Sequence, residues 1–513
     1  MAQWAKSTAG RAVIVLAAVL LFALLATLNA GGYRYGASDQ AFYIPAIRHH
    51  LDPGLFPRDW PMLGSQDQLN AFTAILALAV RVTGLPLPVL FFLTYLVSLA
   101  VLAGALIILG RSLYRSWWTV GALACAMTLR HRVAYTGVNT LESYMHPRVL
   151  AFAVGALGLG IFLRGRSWPA VALAVLASII HPTTGMWFCL WVGIAAFVAD
   201  RTARLPLLLS AGVGGLFAAP WVARGPSLWG AASRMDEAWL SVLTVKDYLF
   251  PGMWPLWAWA LTAAIPVLIG LVYRSRQKAG VASPRETGLL AGTLALVLVL
   301  VASLQFVAAR VAIAVQLQVP RVLWLLELFA TAYLMWWLVE RGAGLRSDRA
   351  RIRVRTFVVA SLALLSVARG TYVTFVEHAG RPVVRLDLPA SEWQDAMAWV
   401  RRTPADTHVL ADPGHAWKYG SSVRVAGERD VFQEDAKDAA FALYSRATAL
   451  RVLTRIGDLG RFSELTATRA RALAATYDID YLVAEQPFDL PIAYQNSRFR
   501  IYALKEPPAF QPR

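Results

Sequence analysis

Residues 12–50 read AVIVLAAVLLFALLATLNAGGYRYGASDQAFYIPAIRHH, an apolar run followed at once by a polar segment. The run 12–30 approaches the roughly 20 apolar residues that a helix needs to span a bilayer. Of the 513 residues in the chain, 57% are hydrophobic and only 16% are charged, which excludes an ordinary soluble enzyme. The sequence therefore predicts a polytopic membrane protein whose first span ends just before Gly31.

Ten further apolar runs predict additional spans, at 88–109, 117–133, 148–163, 168–181, 184–199, 205–222, 252–273, 288–313, 321–339 and 356–373. The first run has no clear small-residue cleavage site, so we expect a retained signal anchor. Its N-terminus would then be cytoplasmic, with Lys6 and Arg11 as flanking charges. Together the runs predict about eleven transmembrane helices.

Orientation depends on residues 69–84, LNAFTAILALAVRVTG, which are apolar but few and include Arg81. If this segment spans the membrane, there are twelve crossings and every later loop changes side. If it lies in the interface as an amphipathic helix, eighteen Lys and Arg fall in the cytoplasmic loops 1–11, 110–116, 164–167, 200–204, 274–287 and 340–355. The longer outer loops before the tail then hold seven. The positive-inside rule favours this second topology, with a first outer loop at 31–87.

After residue 380 the pattern changes from apolar runs to mixed elements. Helical periodicity is found in three segments: EWQDAMAWV, AAFALYSRATALRVLTRIGDL and ELTATRARALAATYD. Three shorter segments are typical of strands: THVLA, IDYLVAE and FRIYAL. The predicted fold class is therefore an all-α polytopic membrane domain at 1–380 followed by a small α/β domain at 381–513. In the favoured topology this second domain is extracytoplasmic.

The formal net charge of +18 belongs almost entirely to the membrane part. From Arg381 to the end there are 18 Lys and Arg against 17 Asp and Glu, so the α/β domain is nearly neutral. A nucleic-acid-binding groove should be basic, and nucleic acid is therefore excluded as a partner. The two cysteines, Cys125 and Cys189, lie inside apolar runs and offer neither a disulfide framework nor a thiolate metal site.

Charged and polar groups concentrate at the outer ends of the predicted spans, where the positive-inside rule would discourage arginine. They come from the first outer loop and from the segments 130–148, 181–185 and 316–321. We predict that Asp39 and Glu142 are catalytic and that seven further residues bind substrate: Arg48, Arg130, His146, Arg148, His181, Arg310 and Arg321. We expect Arg130, Glu142, His146, Arg148, His181 and Arg321 to share one cavity, because a charge facing lipid is costly.

Each of these residues has a structural alternative. Asp39 precedes a helical pattern and is a candidate N-cap. His49 and His50 are more often solvated loop residues than metal ligands, and Arg130 and Arg132 are candidate interfacial anchors. The prolines after His146 and His181 mark helix boundaries, which leaves the histidines themselves unexplained. Arg310 and Glu327 both fall inside predicted spans, where a structural ion pair is the alternative.

The order of these features resembles that of the type C (GT-C) glycosyltransferases, which include oligosaccharyltransferases, protein O-mannosyltransferases and aminoarabinose transferases. The resemblance rests on the order of the elements: a cytoplasmic N-terminus, one span, an outer loop with the acid in GASDQAFY, a juxtamembrane helix, many spans and an outer α/β domain. It implies that Asp39 lies at the catalytic site. Many members have two adjacent acids at this position, whereas this chain has Asp39-Gln40. The resemblance therefore leaves metal dependence undecided, and a divalent metal ion is one alternative. The tail also resembles those of uncharacterised bacterial proteins near this superfamily.

The resemblance implies a glycosyltransferase that moves a sugar from a polyprenyl-phosphate donor to a cell-envelope glycan, lipid or protein. Such a reaction needs a carboxylate for the acceptor hydroxyl and cations for the phosphate leaving group, which Asp39 and the arginines can supply. The expected location is the outer face of a bacterial cytoplasmic membrane. A transporter or flippase for a lipid-linked or anionic substrate and a non-catalytic accessory protein are the alternative functions.

Overall fold

The computed structural model describes residues 8–210, 234–341 and 348–505, and most of them are helical. Seven segments are long and apolar enough to cross a membrane: Ala12–Asn29, Leu87–Leu113, Pro182–Ala199, Leu256–Lys278, Pro284–Ala308, Ala312–Val339 and Ile352–Glu377. Large apolar side chains on these segments, such as Leu20, Leu271 and Leu298, are more than half exposed. Exposed leucines on long apolar helices are expected where the surrounding medium is lipid. These features are those of a membrane protein.

Each predicted span except 205–222 coincides with a described helix. The corresponding helices are Thr8–Asn29, Leu87–Leu113, Trp117–Thr128, Pro147–Leu163, Ser167–Ile180, Pro182–Ala199, Leu256–Lys278, Pro284–Ala308, Val322–Val339 and Asp348–Tyr372. Residues 204–210 are helical, and the rest of the predicted span 205–222 lies outside the described residues. Lys6 and residues 342–347 of the predicted loop 340–355 also lie outside them. Three of the helices are shorter than a bilayer requires, so the number of eleven crossings remains a prediction.

Several boundaries differ from the prediction, and two of the differences change the position of charged residues. The helix predicted at 288–313 is Pro284–Ala308, so Arg310 lies beyond its end rather than inside a span. Arg310 has a φ of +61°, which breaks the helical path immediately before the short helix Ala312–Gln316. The helix after the predicted loop 340–355 begins already at Asp348, so the basic run RARIRVR is helical.

The chain forms two compact units, of which the first comprises Met1–Tyr33, Phe92–Arg234 and Lys246–Val384. Within it, the helix Pro284–Ala308 packs closely on the helix Pro182–Ala199. A Cβ atom added at Gly288 would lie 2.5 Å from the Ala195 carbonyl oxygen, and one at Gly292 2.6 Å from that of Trp191. Glycines four residues apart therefore let the two backbones approach, as is common between membrane helices.

The second unit comprises Arg34–Phe91, Met235–Val245 and Arg385–Arg513. The first outer loop thus belongs to the same compact unit as the C-terminal segment, whereas the sequence analysis assigned it to the membrane domain. Its helices are Gln40–Leu51, Trp60–Asp67 and Phe72–Thr83, and the last confirms the helix predicted within 69–84. Whether this helix lies along the outer membrane surface remains a prediction.

The strands, in chain order, are β1 Tyr33–Arg34, β2 Val384–Arg385, β3 His408–Leu410, β4 Asp430–Val431, β5 Tyr481–Ala484, β6 Ile492–Gln495 and β7 Arg500–Ala503. The last five form a sheet in the second unit with the order β4-β3-β5-β7-β6. β3 is parallel to β4 and β5, whereas β7 is antiparallel to β5 and β6. The predicted strands THVLA, IDYLVAE and FRIYAL are therefore confirmed, as is the small α/β arrangement.

Helices cover the sheet because their apolar residues recur at helical spacing. In Glu392–Val400 the side chains of Trp393, Met397 and Val400 are buried against the strand residues Val409 and Ile501. The other helices of this segment are His415–Tyr419, Val423–Ala426, Lys437–Phe441, Arg446–Leu459 and Ala467–Tyr477. The remaining described elements are the helix Glu237–Leu243, the two-residue strands Tyr33–Arg34 and Val384–Arg385, the π-turn Val373–Glu377 and the 3₁₀ turns Arg201–Ala203, Asp247–Leu249, Pro251–Met253, Val319–Arg321, Ala442–Tyr444 and Phe462–Glu464.

Candidate active site

Asp39 directly precedes the helix Gln40–Leu51 but does not cap it, because its side chain accepts no hydrogen bond from the first turn. The N-cap interpretation of this carboxylate is therefore wrong. Instead, Nζ of Lys437 donates to Oδ1 of Asp39 over 2.8 Å, within the second unit. The neighbouring Gln40 is fully buried, and its Oε1 accepts from the backbone N–H of Gly36 at 2.6 Å. Gln40 thus fixes the backbone on the N-terminal side of Asp39.

The Lys437 side chain is buried, with 8% exposed, whereas 28% of the Asp39 side chain is accessible. The ammonium group lies 4.9 Å from the ring centroid of Phe42 and 6.0 Å from that of Trp417, so two aromatic rings flank it. The backbone on both sides of the pair is unusual. Ser38, before Asp39, has a φ of +51°, and Ala436, before Lys437, has a φ of +62°. Such conformations are costly for residues with a Cβ and occur preferentially at functional sites.

A buried charge network lies next to this pair in the sequence and in the fold. Arg424 is its centre: Nε donates to Asp59 at 2.7 Å, and Nη1 and Nη2 donate to Asp438 at 2.6 and 3.3 Å. Arg451 also binds Asp59, while Asp438 accepts from the backbone N–H of Glu434 at 3.0 Å. The side chains of Arg424, Asp59 and Asp438 are at most 1% exposed. Because Asp438 follows Lys437 directly, this network holds the lysine in place.

Burial in this network and the charges within it shift the pKa values of two carboxyl groups in opposite directions. Burial alone would raise the pKa of Asp59, but the charges of Arg424 and Arg451 hold that pKa well below its usual range. Burial, reinforced by the negative charge of Asp59, raises the pKa of Asp430 to about 7. Asp430 accepts from the backbone N–H groups of Arg58 and Asp59 at 2.9 and 3.0 Å. Two neighbouring acids thus have opposite tendencies to ionise.

The sequence patterns did not single out Asp59, Arg424, Lys437 or Asp438 as site residues. The signal was the stretch GERDVFQEDAKD at 427–438, which places five acidic and two basic residues beside the apolar residues Val431 and Phe432. Charged residues are almost never fully buried unless they are paired. Their partners in the first outer loop could not be found from the sequence.

Three polar residues at the end of the helix Gln40–Leu51 contact other residues of the second unit. Nε of Arg48, a predicted substrate ligand, lies 3.1 Å from a carboxylate oxygen of Glu428. The His49 ring stacks on Trp60, with 3.6 Å between ring centroids, and His50 contacts a carboxylate oxygen of Asp67 at 2.8 Å. These contacts stabilise the fold of the outer loop, and a substrate-binding role for Arg48 remains a prediction.

The first unit contains a separate cluster at the start of the helix Pro147–Leu163. His146 is its N-cap, and Nδ1 accepts from the backbone N–H of Arg148 at 3.0 Å. The Arg148 side chain donates from Nη2 to Oε1 of Glu142 at 3.2 Å, and that oxygen also accepts from Asn139 at 3.2 Å. His146, Arg148 and Glu142 are all buried, with 3–6% of their surface exposed. The predicted acid Glu142 is therefore in a buried ion pair.

His181 caps the helix Pro182–Ala199 in the same way. Its Nδ1 accepts from the backbone N–H of Thr184 at 3.4 Å and lies 3.0 Å from the Thr184 hydroxyl. The His146 and His181 rings are 5.8 Å apart between centroids. Because Nδ1 is the acceptor in each ring, Nε2 carries the proton in the neutral form of both. Both imidazoles can therefore donate a hydrogen bond from Nε2.

Arginine charges complete this cluster. Arg148 and Arg321 both lie close enough to His181 to interact with it electrostatically. Arg321 precedes the helix Val322–Val339 and lies 5.5 Å from the ring centroid of Tyr248. The structure thus brings together His146, Arg148, His181 and Arg321, which we call the His–Arg cluster, at the N-terminal ends of three apolar helices. Helix N-termini and arginines both favour a bound anion.

The other predicted site residues lie differently. Arg130 and Arg310 are exposed, so neither is buried as Arg148 is. Glu327, the proposed partner of Arg310, contacts Nδ1 of His131 at 2.8 Å. Roles for Arg130 and Arg310 in substrate binding remain predictions.

The described residues contain no group of three or more His, Cys, Asp or Glu side chains close enough together to hold a metal ion. The Asp39 carboxylate accepts a hydrogen bond from the ammonium group of Lys437. The next residue, Gln40, is an amide whose oxygen already accepts from the backbone N–H of Gly36. A divalent ion prefers several oxygen ligands, so this set of donors does not fit one.

No family model matches the sequence, and no curated protein matches it. The chain is similar to three structures of the oligosaccharyltransferase from Archaeoglobus fulgidus. The match to the apo form has a TM-score of 0.46 at 11% identity and covers 92% of this chain and 69% of the oligosaccharyltransferase chain. The form tethered to an acceptor peptide with the NVT sequon has a TM-score of 0.49 at 11% identity, covering 94% and 70%. The complex with an inhibitory peptide and a dolichol-phosphate has a TM-score of 0.37 at 12% identity, covering 93% and 70%.

Proposed function

We propose that the protein is a membrane glycosyltransferase that moves a sugar from a polyprenyl-phosphate donor to a hydroxyl or amide acceptor of the cell envelope. The observation that carries this proposal is the His–Arg cluster. A reaction that releases a lipid phosphate needs a place where negative charge is stabilised as the glycosidic bond breaks. The proposal places this reaction at the outer face of a bacterial cytoplasmic membrane.

The His–Arg cluster has the chemistry that a phosphate requires. Arg148 and Arg321 supply guanidinium groups, which bind phosphate oxygens in pairs. The Nε2 groups of His146 and His181 supply two further donors, because Nδ1 of each ring accepts from a backbone N–H group. Glu142 orients Arg148 through their 3.2 Å contact. We assign donor-phosphate binding to the two arginines and two histidines, and a positioning role to Glu142.

Asp39 has the properties of a base for the acceptor. Its carboxylate is partly accessible, it is not used to cap a helix, and the residue before it has a positive φ. Lys437 neutralises part of its charge and fixes its orientation. We assign the removal of a proton from the acceptor nucleophile to Asp39 and its positioning to Lys437. No step of this proposal runs through a metal ion, because the donors around Asp39 do not fit one.

The experiment that tests the proposal uses the full chain in liposomes with a radiolabelled polyprenyl-phosphate sugar and an extract of cell-envelope acceptors. The variant is Asp39→Asn, whose amide oxygen can still accept from Lys437. Removing a general base typically reduces the rate by about 10²- to 10⁴-fold. We expect a reduction of this size in the labelled product formed by Asp39→Asn. The thermal unfolding midpoint of the variant should equal that of the wild type, because the contact with Lys437 is kept.

The matched control is Asp52→Asn in the same outer loop. Asp52 is exposed, and its Oδ1 accepts from the backbone N–H of Gly54 at 3.0 Å. This variant should keep wild-type transfer. Full activity in the Asp39→Asn protein would refute the catalytic assignment. Movement of the labelled lipid between leaflets without any transfer product would instead identify a flippase.

A further inference from the structure

The first unit contains a cavity of about 1020 Å³ that the proposed transfer reaction does not use. It is lined by the segments 112–116, 276–281 and 336–341 and by residues of the helix Asp348–Tyr372. These segments include the C-terminal ends of the helices Leu87–Leu113, Leu256–Lys278 and Val322–Val339. Arg321 of the His–Arg cluster precedes the opposite end of Val322–Val339. An 18-residue helix is about 27 Å long, so the cavity and the His–Arg cluster are far apart.

Arginine dominates the lining of this cavity. Four guanidinium groups contribute, those of Arg115, Arg276, Arg341 and Arg355. Among the described lining residues only Glu340 is acidic. Its carboxylate accepts from the backbone N–H groups at 115 and 116 at 2.9–3.3 Å and from the Thr119 hydroxyl at 2.8 Å. Glu340 is therefore engaged with the start of the helix Trp117–Thr128, and the cavity keeps an excess of positive charge.

Arg276 distinguishes this cavity from an ordinary basic loop. It is 1% exposed, and its Nε and Nη2 donate to Glu286 at 2.6 and 3.1 Å. Nη2 also donates to the carbonyl oxygen of Leu113 at 3.1 Å. Nη1 is buried and has no hydrogen-bond partner among the described residues. A buried donor without a partner costs about 1–3 kcal/mol of stability, so its presence in a cavity wall points to a ligand that accepts from it.

The positive-inside rule alone does not account for these residues. It requires basic loops on the cytoplasmic side but not that an arginine be buried among helix ends. Arg353, in the same basic run, is exposed and does not line the cavity, whereas Arg355 is half-buried and does. Arg353 and Arg355 thus differ in burial and in access to the cavity, although the positive-inside rule applies equally to both.

We propose that this cavity binds the phosphate group of an anionic ligand, through Arg276, Arg341 and Arg355. Guanidinium groups bind phosphate by charge-assisted, paired hydrogen bonds. The cavity volume accommodates either the headgroup of an anionic lipid or a soluble phosphorylated molecule, since ligand cavities are typically about 300–1,000 Å³. In the favoured topology the site faces the cytoplasm, and it does not depend on the proposed transfer activity.

The test uses the purified full chain in detergent, with phosphatidylglycerol and inorganic pyrophosphate as alternative probes. Phosphatidylcholine, which carries no net charge, is the control lipid. Binding is measured by native mass spectrometry for the lipids and by the shift of the thermal unfolding midpoint for pyrophosphate. We expect saturable binding of at least one anionic probe. Selective retention of phosphatidylglycerol assigns the site to a lipid, and stabilisation by pyrophosphate assigns it to a soluble ligand.

Three variants make the test specific. Arg341→Gln and Arg355→Gln should each weaken binding about tenfold, equivalent to about 1.4 kcal/mol. Arg353→Gln removes the same charge from the same helix and should change binding less than about twofold. These exposed or half-buried positions avoid the folding defect expected from replacing Arg276. Equal weakening by Arg353→Gln and Arg355→Gln, or no saturable binding of either anionic probe to the wild type, would overturn the proposal.

Discussion

Replacing Arg424 by methionine should destabilise the second unit strongly, because this side chain connects two distant segments of the chain. Arg424 is 1% exposed and donates to Asp59 at 2.7 Å and to Asp438 at 2.6 and 3.3 Å. Methionine fills much of the same volume but leaves both carboxylates short of a cationic partner. Removing one partner of a buried ion pair typically costs about 3–5 kcal/mol.

Hydrogen exchange measured by mass spectrometry on the full chain in detergent would report this loss locally. A cost of about 3–5 kcal/mol corresponds to about 10²- to 10⁴-fold faster exchange of amides that open with the unit. The acceleration should appear together in peptides covering 56–63 and 429–433, since Asp59 accepts from both Arg424 and the backbone N–H of Val431. Arg424→Lys should be intermediate, because one ammonium cannot reproduce the paired contact with Asp438.

The control is Arg402→Met, at an exposed position just after the helix Glu392–Val400. A surface substitution of this kind usually changes stability by less than about 0.5 kcal/mol. If Arg424→Met accelerated exchange no more than Arg402→Met, the buried network would not stabilise the unit. Acceleration at 429–433 without any change at 56–63 would show that Arg424 does not couple the two segments.

Two further predictions concern pH and topology. Because burial beside Asp59 raises the pKa of Asp430 from 3.8 to about 7, its contribution to stability is complete below pH 3.8 and is lost as the pH rises through 7. The Asp430→Asn variant should therefore become more stable relative to wild type across this interval in thermal unfolding, and a constant difference would contradict the assignment. For topology, single cysteines at Ala279 and Ser463, both exposed, should label differently with a membrane-impermeant reagent after the native cysteines are replaced. Only Ser463→Cys should react in intact cells, and the reverse result would invert the orientation.

Periodicity and composition predicted the elements of the fold well. Each predicted span outside the partly described 205–222 coincides with a helix, and the strands at His408–Leu410, Tyr481–Ala484 and Arg500–Ala503 lie where short apolar runs indicated them. Boundaries were less accurate, because an apolar residue does not reveal where its helix ends. Arg310 illustrates this: apolar neighbours on both sides place it inside a run, yet its positive φ ends the helix.

The candidate site was predictable only where residues near in sequence act together. His146 with Arg148, and His181 with Thr184, are local capping contacts, and the sequence pointed to both histidines. The pairing of Asp39 with Lys437 joins residues 398 positions apart, and nothing in either local pattern indicates the other. The N-cap interpretation of Asp39 failed for the same reason, since a tertiary partner replaced the local hydrogen bond that propensity favours.

The contact between Asp59 and Arg424 has a consequence for how the chain is made. The two residues are 365 positions apart, and ribosomes add about 5–20 residues per second, so Asp59 emerges roughly 20–70 s before its partner. Throughout that interval the carboxylate of Asp59 lacks Arg424 and Arg451, the two arginines that pair with it in the folded protein. The loop therefore cannot complete its structure during synthesis of the membrane helices. A chain that stopped before residue 424 would insert these helices and still present an unfinished loop to proteases and chaperones.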